Sequence, residues 1–354
     1  MSRSQRSAGR RKAERPPSRA GVLLERLRTG RGKILAVGWT LWGTVVVGAV
    51  VLAGLNVVGI GPAWLDQAAA VTISTCFAAF LSLRTGGRAL VFGCVALALG
   101  LLAVVSGAEL LRTGAAVMTS VVAGVLAVMA TVPAVRFRHA VREAAVAIAI
   151  SAVGALGVVG YRPVVDLGLF DYTALTLAFV LALALVYSLG AGLHGLGRRG
   201  AIAVLVGTLA MVAILAYTEL LRRYGAEGFV ENVLQVVRWM REHLGAAPRP
   251  VQAMLGVPAL VWGCHVRARR RQGWWLCVFG VALTTSVAGL LVNPATGWLE
   301  AVLIVGYSFV AGIVIGYGII RIDLALTGQH GRRARRAEEQ TAMRPEPARF
   351  SPLM

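Results

Sequence analysis

Six carboxylates sit at the edges of long apolar runs: Asp66, Glu109, Asp166, Asp171, Glu219 and Glu300. A carboxylate in that position can hold a cation, a sugar or the polar part of a lipid-linked molecule, or act as a general base. Most of the six also have a plain electrostatic account. Asp66, Asp171 and Glu300 stand at predicted helix starts, where unbonded amides and the helix dipole favour a negative charge. Glu109 and Glu219 stand at predicted helix ends, where the dipole disfavours them. Arg112, and Arg222 with Arg223, follow three or four residues on and offset that cost through local ion pairs. Asp166 has neither account, which makes it the first candidate for a catalytic or ligand-binding carboxylate.

Thr284, Thr285 and Ser286 form the densest polar run inside any apolar segment. Such hydroxyls can line a substrate path, but they more often bond helix carbonyls or a neighbouring helix. Thr72, Ser74 and Thr75 are a smaller instance. No charged residue or histidine lies near the centre of an apolar run, which argues against a proton pump built on a midplane carboxylate. Cys76, Cys94, Cys264 and Cys277 form no CxxC pair. Cys264 abuts His265, and two ligands do not make a zinc site. With no nucleotide, phosphate or metal motif, no cofactor and no metal are expected.

The elements that must position these residues are helices in a bilayer. Hydrophobic residues make up 57% of the 354, and mean hydropathy is +0.72. Ten segments approach the ~20 apolar residues that cross a bilayer: roughly 34–60, 65–83, 89–108, 115–134, 143–160, 172–193, 200–221, 251–266, 273–292 and 298–320. With residues 1–33 inside, 29 of the 36 Lys and Arg residues fall on the cytoplasmic side. Every alternate loop then obeys the positive-inside rule. The predicted class is therefore all-α: a polytopic transmembrane bundle of about ten spans with both ends cytoplasmic. Residues 1–33 read as a basic disordered tail with a short interfacial helix, 34–321 as the bundle, and 322–354 as a second basic disordered tail. Span 251–266 is the shortest. Pro258, two residues after Gly256, should loosen it by removing a backbone bond.

Small residues recur at four-residue spacing in two spans: Ser308, Gly312 and Gly316, and Ala116, Ser120 and Gly124. These stripes predict close helix contacts within the chain, or a homodimer or membrane-complex face on the last span. Residues 226–244 alternate as an amphipathic helix, with Phe229, Val233, Val236, Val237 and Met240 on one face. It should lie on the outer surface as a cover, a lid or a docking helix.

The sequence pI of about 11.4 follows the inner membrane face. The expected partner is therefore anionic lipid headgroup, at ~1 kcal/mol per basic residue near the surface, and no nucleic acid. Two lysines stand against 34 arginines in a chain rich in Ala, Val and Gly. That composition suggests a bacterial protein of the cytoplasmic membrane.

Ten spans with the longest outer loop between the seventh and eighth resemble the layout of the cell-wall glycosyltransferases of the shape and division family. Two halves of five spans in opposite orientation resemble the drug/metabolite transporters, and inverted repeats are common in carriers. Both likenesses rest on span count and loop position. They leave three readings: a transporter or flippase-like carrier of a small or lipid-like substrate, a membrane enzyme acting on a lipid-linked substrate at the outer leaflet, and a non-catalytic membrane subunit.

Overall fold

The computed structural model describes residues 43–51, 54, 62, 64–164, 166–191, 193–224, 227–269, 273–327, 346–349 and 351–353. The chain divides into two compact units, 1–47 and 48–354, and all that follows concerns the second. The predicted tail 1–33 and most of the first predicted span lie outside the described residues.

Every regular element among the described residues is helical. The order is α1 Trp64–Arg84, α2 Ala89–Ser106, α3 Glu109–Met129, α4 Phe137–Gly160 and α5 Leu167–Val186, which runs on as a π-helical turn Tyr187–Ala191. Then come α6 Leu193–Tyr224 and α7 Glu227–Leu244. A π-helical segment Val251–Gly256 leads into α8 Val257–Arg267. A broken helix follows: α9 Gly273–Cys277, a 3-10 turn Val278–Gly280, α10 Val281–Thr284 and α11 Ser286–Val292. The last is α12 Trp298–Thr327.

Seven of these stretches are long and apolar enough to cross a membrane: Trp64–Arg84, Ala89–Ser106, Glu109–Met129, Phe137–Gly160, Leu167–Leu189, Gly273–Val292 and Trp298–Leu326. This is consistent with a multi-pass membrane protein. Two predicted spans fall short for stated reasons. The apolar part of α6 is only Val204–Tyr217. The 251–267 stretch is six π-helical residues followed by eleven α-helical ones, about 25 Å at helical rise against ~30 Å of hydrocarbon.

Burial separates centre from rim. The Gly273–Val292 helix is 83% buried and packs on α3, α4, α5, α6 and the 251–267 segment, whereas α2 is 17% buried and presents Leu90, Phe92, Leu99 and Val105 outward. That outward face suits lipid, which needs no polar rim.

Two departures from the predicted boundaries have local causes. Gly107 adopts a left-handed conformation (φ 65°) and turns α2 straight into α3. Helix α3 therefore starts at Glu109, not near 115, and Glu109 occupies its first turn. The sequence reading of Glu109 as a helix-end residue is corrected: the dipole favours its charge there. The second departure concerns 322–354. Residues to Thr327 continue α12, and residues 346–349 and 351–353 pack against Arg84 of α1, Ala130 just after α3, Glu143 of α4 and Arg267 of α8.

The predicted weak point at Pro258 is present. Before it the chain widens to a π-turn, in which the Val257 amide bonds the Gln252 carbonyl five residues back. Proline at the start of α8 needs no amide partner.

The small-residue stripes are used inside the chain. A Cβ on Gly312 would overlap Val257, and one on Gly316 would lie 3.3 Å from Val261. The Ser308 hydroxyl accepts from the Arg249 amide at 2.9 Å. The α12 stripe thus seats the 249–261 segment, and the predicted homodimer face there is already covered. On α3, Ala116 and Ser120 are buried, and Gly124 admits the break between α10 and α11: an added Cβ would lie 2.7 Å from Thr285 Cγ2.

Candidate functional site at the Asp171–Arg249 pair

Two interrupted helices meet near the start of α5. One is the π-helical 251–256 segment. The other is the α10–α11 break, where Thr285 and Ser286 donate their hydroxyls to the carbonyls of Val281 (2.7 Å) and Ala282 (2.8 Å). Hydroxyls bonding back one turn bend a helix. Between these breaks lies a cavity of about 140 Å³, lined by Asp171, Tyr172 and Leu175 of α5, Leu215 of α6, Arg249 and Val251, and Ala282, Thr285 and Ser286.

Arg249 is fixed from several directions. Helix α7 ends at Gly245, which turns with φ 77°. Ala246 is fully buried against Leu290, Ala301 and Ile304, and the Tyr307 hydroxyl donates to the Leu244 carbonyl at 2.8 Å. The Arg249 amide is held by Ser308, and its carbonyl accepts from Ala253 at 3.0 Å. So anchored, its guanidinium donates to Asp171 Oδ2 at 3.3 Å. Each side chain of the pair is about one-third exposed, which makes it a rim pair and not a sealed one.

The Asp171 Oδ1 atom is buried and takes no hydrogen bond. It lies over Gly289 of α11, where a Cβ would occupy its place. Gln252 is fully buried. Its amide donates to Ser286 Oγ at 2.7 Å, and its Oε1 is a second buried acceptor without a partner. A buried acceptor left unpaired costs roughly 1–3 kcal/mol; both atoms are packed away from the cavity, whose polar lining is Asp171, Arg249, Thr285 and Ser286.

Of the sequence candidates, the structure unites Asp171, Thr285 and Ser286. Thr284 faces away and donates to the Gly124 carbonyl of α3 at 3.0 Å, an interhelix tie. Asp166, the first choice from sequence, is the N-cap of α5: its Oδ1 accepts from the Leu169 amide at 2.9 Å. That corrects the view that it had no structural account. Asp66 pairs with Arg162 at 2.8 Å, and Glu300, in the first turn of α12, lies 3.7 Å from Arg241 of α7. Glu219 is on α6 where side chains lie outside the described residues. The sequence reading missed Arg249 and Gln252. Their signals were an arginine between two prolines and a lone amide inside an apolar run.

A second cavity of about 340 Å³ lies between α1, α2 and α3, walled by Phe92, Leu99, Leu102, Leu110 and Met118, with the Ser74–Tyr161 hydroxyl pair (2.8 Å) as its polar point. Its walls are largely exposed apolar side chains, so it is a crevice facing the apolar surroundings. Among the described residues no group of three or more His, Cys, Asp or Glu side chains could hold a metal ion. No protein-family model matches the chain, and no curated protein or solved structure is significantly similar to it.

Proposed function

We propose that the protein is a carrier, flippase-like in kind, of a small or lipid-like substrate in the bacterial cytoplasmic membrane. In this reading the bundle has about ten spans with both ends inside, and α7 lies over the outer surface. The substrate's polar group sits at Asp171, Arg249, Thr285 and Ser286, with Gln252 holding Ser286 from behind.

The observation that carries the reading is the meeting of two interrupted helices around a polar cavity. Irregular backbone at membrane depth is tolerated where it lines a site, and discontinuous helices commonly form the substrate sites of carriers. The cavity approaches the ~150 Å³ that holds a benzene-sized molecule and is well below the ~300 Å³ or more of typical drug-sized pockets. It suits a headgroup whose apolar remainder stays in the bilayer, beside the exposed Leu169 and Tyr172. Anionic lipids at the inner face are the natural surroundings of so basic a chain.

A membrane enzyme acting on a lipid-linked substrate is the second reading. It is favoured by a carboxylate and an arginine meeting at the cavity, Asp171 with Arg249 at 3.3 Å. Against it, Thr285 and Ser286 both donate to their own helix, so neither is an activated nucleophile.

The test is leaflet transfer of acyl-labelled phosphatidylethanolamine in proteoliposomes, followed by external reduction of the fluorophore. The carrier reading expects faster transfer than in empty vesicles. It expects about a tenfold loss in Asp171→Asn and in Arg249→Gln, the factor of ~1.4 kcal/mol. A wild-type rate equal to that of empty vesicles counts against it. Chemical turnover of the labelled lipid, lost in Asp171→Asn, would move the assignment to the enzyme.

A further inference from the structure

At the other end of the bundle, two arginines are sealed inside the protein. Arg84 closes α1 and is 1% exposed; Arg267 closes α8 and is 0% exposed. Glu143, in the second turn of α4, is also 0% exposed. Buried charges persist only when paired and hydrogen-bonded, and much of the pairing here comes from the 346–353 segment. Glu346 Oε2 accepts from Arg267 Nη2 at 2.7 Å. Arg84 Nη1 donates to the carbonyls of Ala348 (2.8 Å) and Ser351, and the Leu353 amide donates to the Arg84 carbonyl at 2.9 Å. Arg349 reaches Glu143 at 2.8 Å and the Ala130 carbonyl at 3.0 Å.

The bundle supplies the rest. Arg84 Nε donates to the Met129 carbonyl at 3.0 Å. Arg267 bonds both the hydroxyl and the carbonyl of Thr131 at 2.8 Å, and lies 3.6 Å over the Trp274 ring. Glu143 holds the Val132 amide at 3.0 Å and Arg142 at 3.0 Å. Arg84 Nη2 is buried with no acceptor. Each arginine thus keeps contacts to the bundle, Arg84 to Met129 and Arg267 to Thr131 and Trp274, and the segment supplies the remaining acceptors.

We propose that Arg84 and Arg267 form a phosphate-binding site and that the 346–353 segment is its tethered competitor, with the Glu346 carboxylate standing where a phosphate oxygen would bind. Lifting the segment removes Glu346 and Arg349 together, so the charge of the hollow is unchanged. It leaves at least three guanidinium N–H groups without acceptors: those that served Ala348, Ser351 and Glu346. The Arg84 Nη2 group already lacks one. Planar guanidinium forks match phosphate oxygens. A phosphodiester headgroup of an anionic lipid and free inorganic phosphate share that chemistry. Apparent affinity falls in proportion to the fraction of time the segment leaves the site free, so occupancy about nine-tenths of the time lowers it about tenfold.

The experiment compares the full chain, the chain ending at 345, and Glu346→Gln in lipid nanodiscs. It measures retained phosphatidylglycerol against phosphatidylcholine by native mass spectrometry, and adds inorganic phosphate as a separate probe. Phosphatidylglycerol affinity should rise about tenfold on truncation and about threefold in Glu346→Gln. It should fall back when Arg267→Gln is added to either, and a peptide of residues 346–354 should displace the lipid from the truncated chain. Displacement by inorganic phosphate at comparable concentration would make free phosphate the ligand of the same site. Equal phosphatidylglycerol affinity in the full chain and in Glu346→Gln would overturn the proposal even if the truncated chain does not fold, and so would a peptide that displaces no lipid from a folded truncated chain.

Discussion

Asp171 and Asp166 lie five residues apart, and their contrast shows what decides a carboxylate's role. Asp166 is exposed and spends its acceptor on the first turn of α5. Asp171 points into the bundle, meets Arg249 and keeps one oxygen unpaired. Asp166→Ala should lower stability by about 1 kcal/mol through loss of the cap and leave leaflet transfer unchanged, read by thermal unfolding beside the vesicle assay. Gly289→Ala should do the reverse. Its new methyl displaces only the flexible end of Asp171, so the fold should hold within about 1 kcal/mol while transfer falls. Transfer in Gly289→Ala at the wild-type rate would mean that the position of Asp171 is irrelevant to it. Dipole arguments placed Asp66 and Glu300 correctly in first turns, whereas α5 starts at Leu167, so Asp166 holds the helix start expected for Asp171 and Asp171 lies in the second turn. The same arguments failed at Glu109 because a single left-handed Gly107 moved a helix start by six residues.

The elements carry their function through irregularity. The 251–256 π-turn widens the backbone bonding, while at Thr285 the helix tightens, the Thr285 carbonyl accepting from Ala288 three residues on at 3.1 Å, and together they frame the cavity. The supports for that irregular backbone are regular: α12 offers Gly312 and Gly316 as a groove for Val257 and Val261, and Ser308 as an acceptor for Arg249. Gly312→Leu should therefore destabilise the folded protein by about 1–3 kcal/mol, the cost of overpacking, and should displace Arg249 with it. Melting in detergent and leaflet transfer should both fall. Wild-type melting in Gly312→Leu would show that α12 does not bear on this segment. The stripe and the proline were legible in sequence as packing and kink. Which helix fills the groove was not, because any apolar face with the right spacing would satisfy the pattern.

Across the whole molecule, polar groups gather at two ends of an otherwise apolar body. Asp66 meets Arg162 and Asp171 meets Arg249 at one end; Arg84, Glu143 and Arg267 meet the 346–353 segment at the other. The proposed topology puts these ends on opposite sides of the membrane. Trp239→Cys on α7 and Arg138→Cys at the start of α4, each alone in a cysteine-free chain, should then label from opposite sides in sealed vesicles. Labelling from the same side would discard the ten-span arrangement. The sequence by itself determined that this is an all-helical chain with bilayer-length apolar runs, and which acids and hydroxyls sit at their edges. Those properties follow from local composition and from hydropathy, which need no knowledge of neighbours. Only the tertiary structure decided that Asp171 and not Asp166 joins a site, that Arg249 pairs with it while Gln252 holds Ser286, and that a segment near residue 350 inserts Glu346 and Arg349 among buried charges. Each of those depends on contacts between positions tens to hundreds of residues apart, where many pairings satisfy the same pattern and packing selects one.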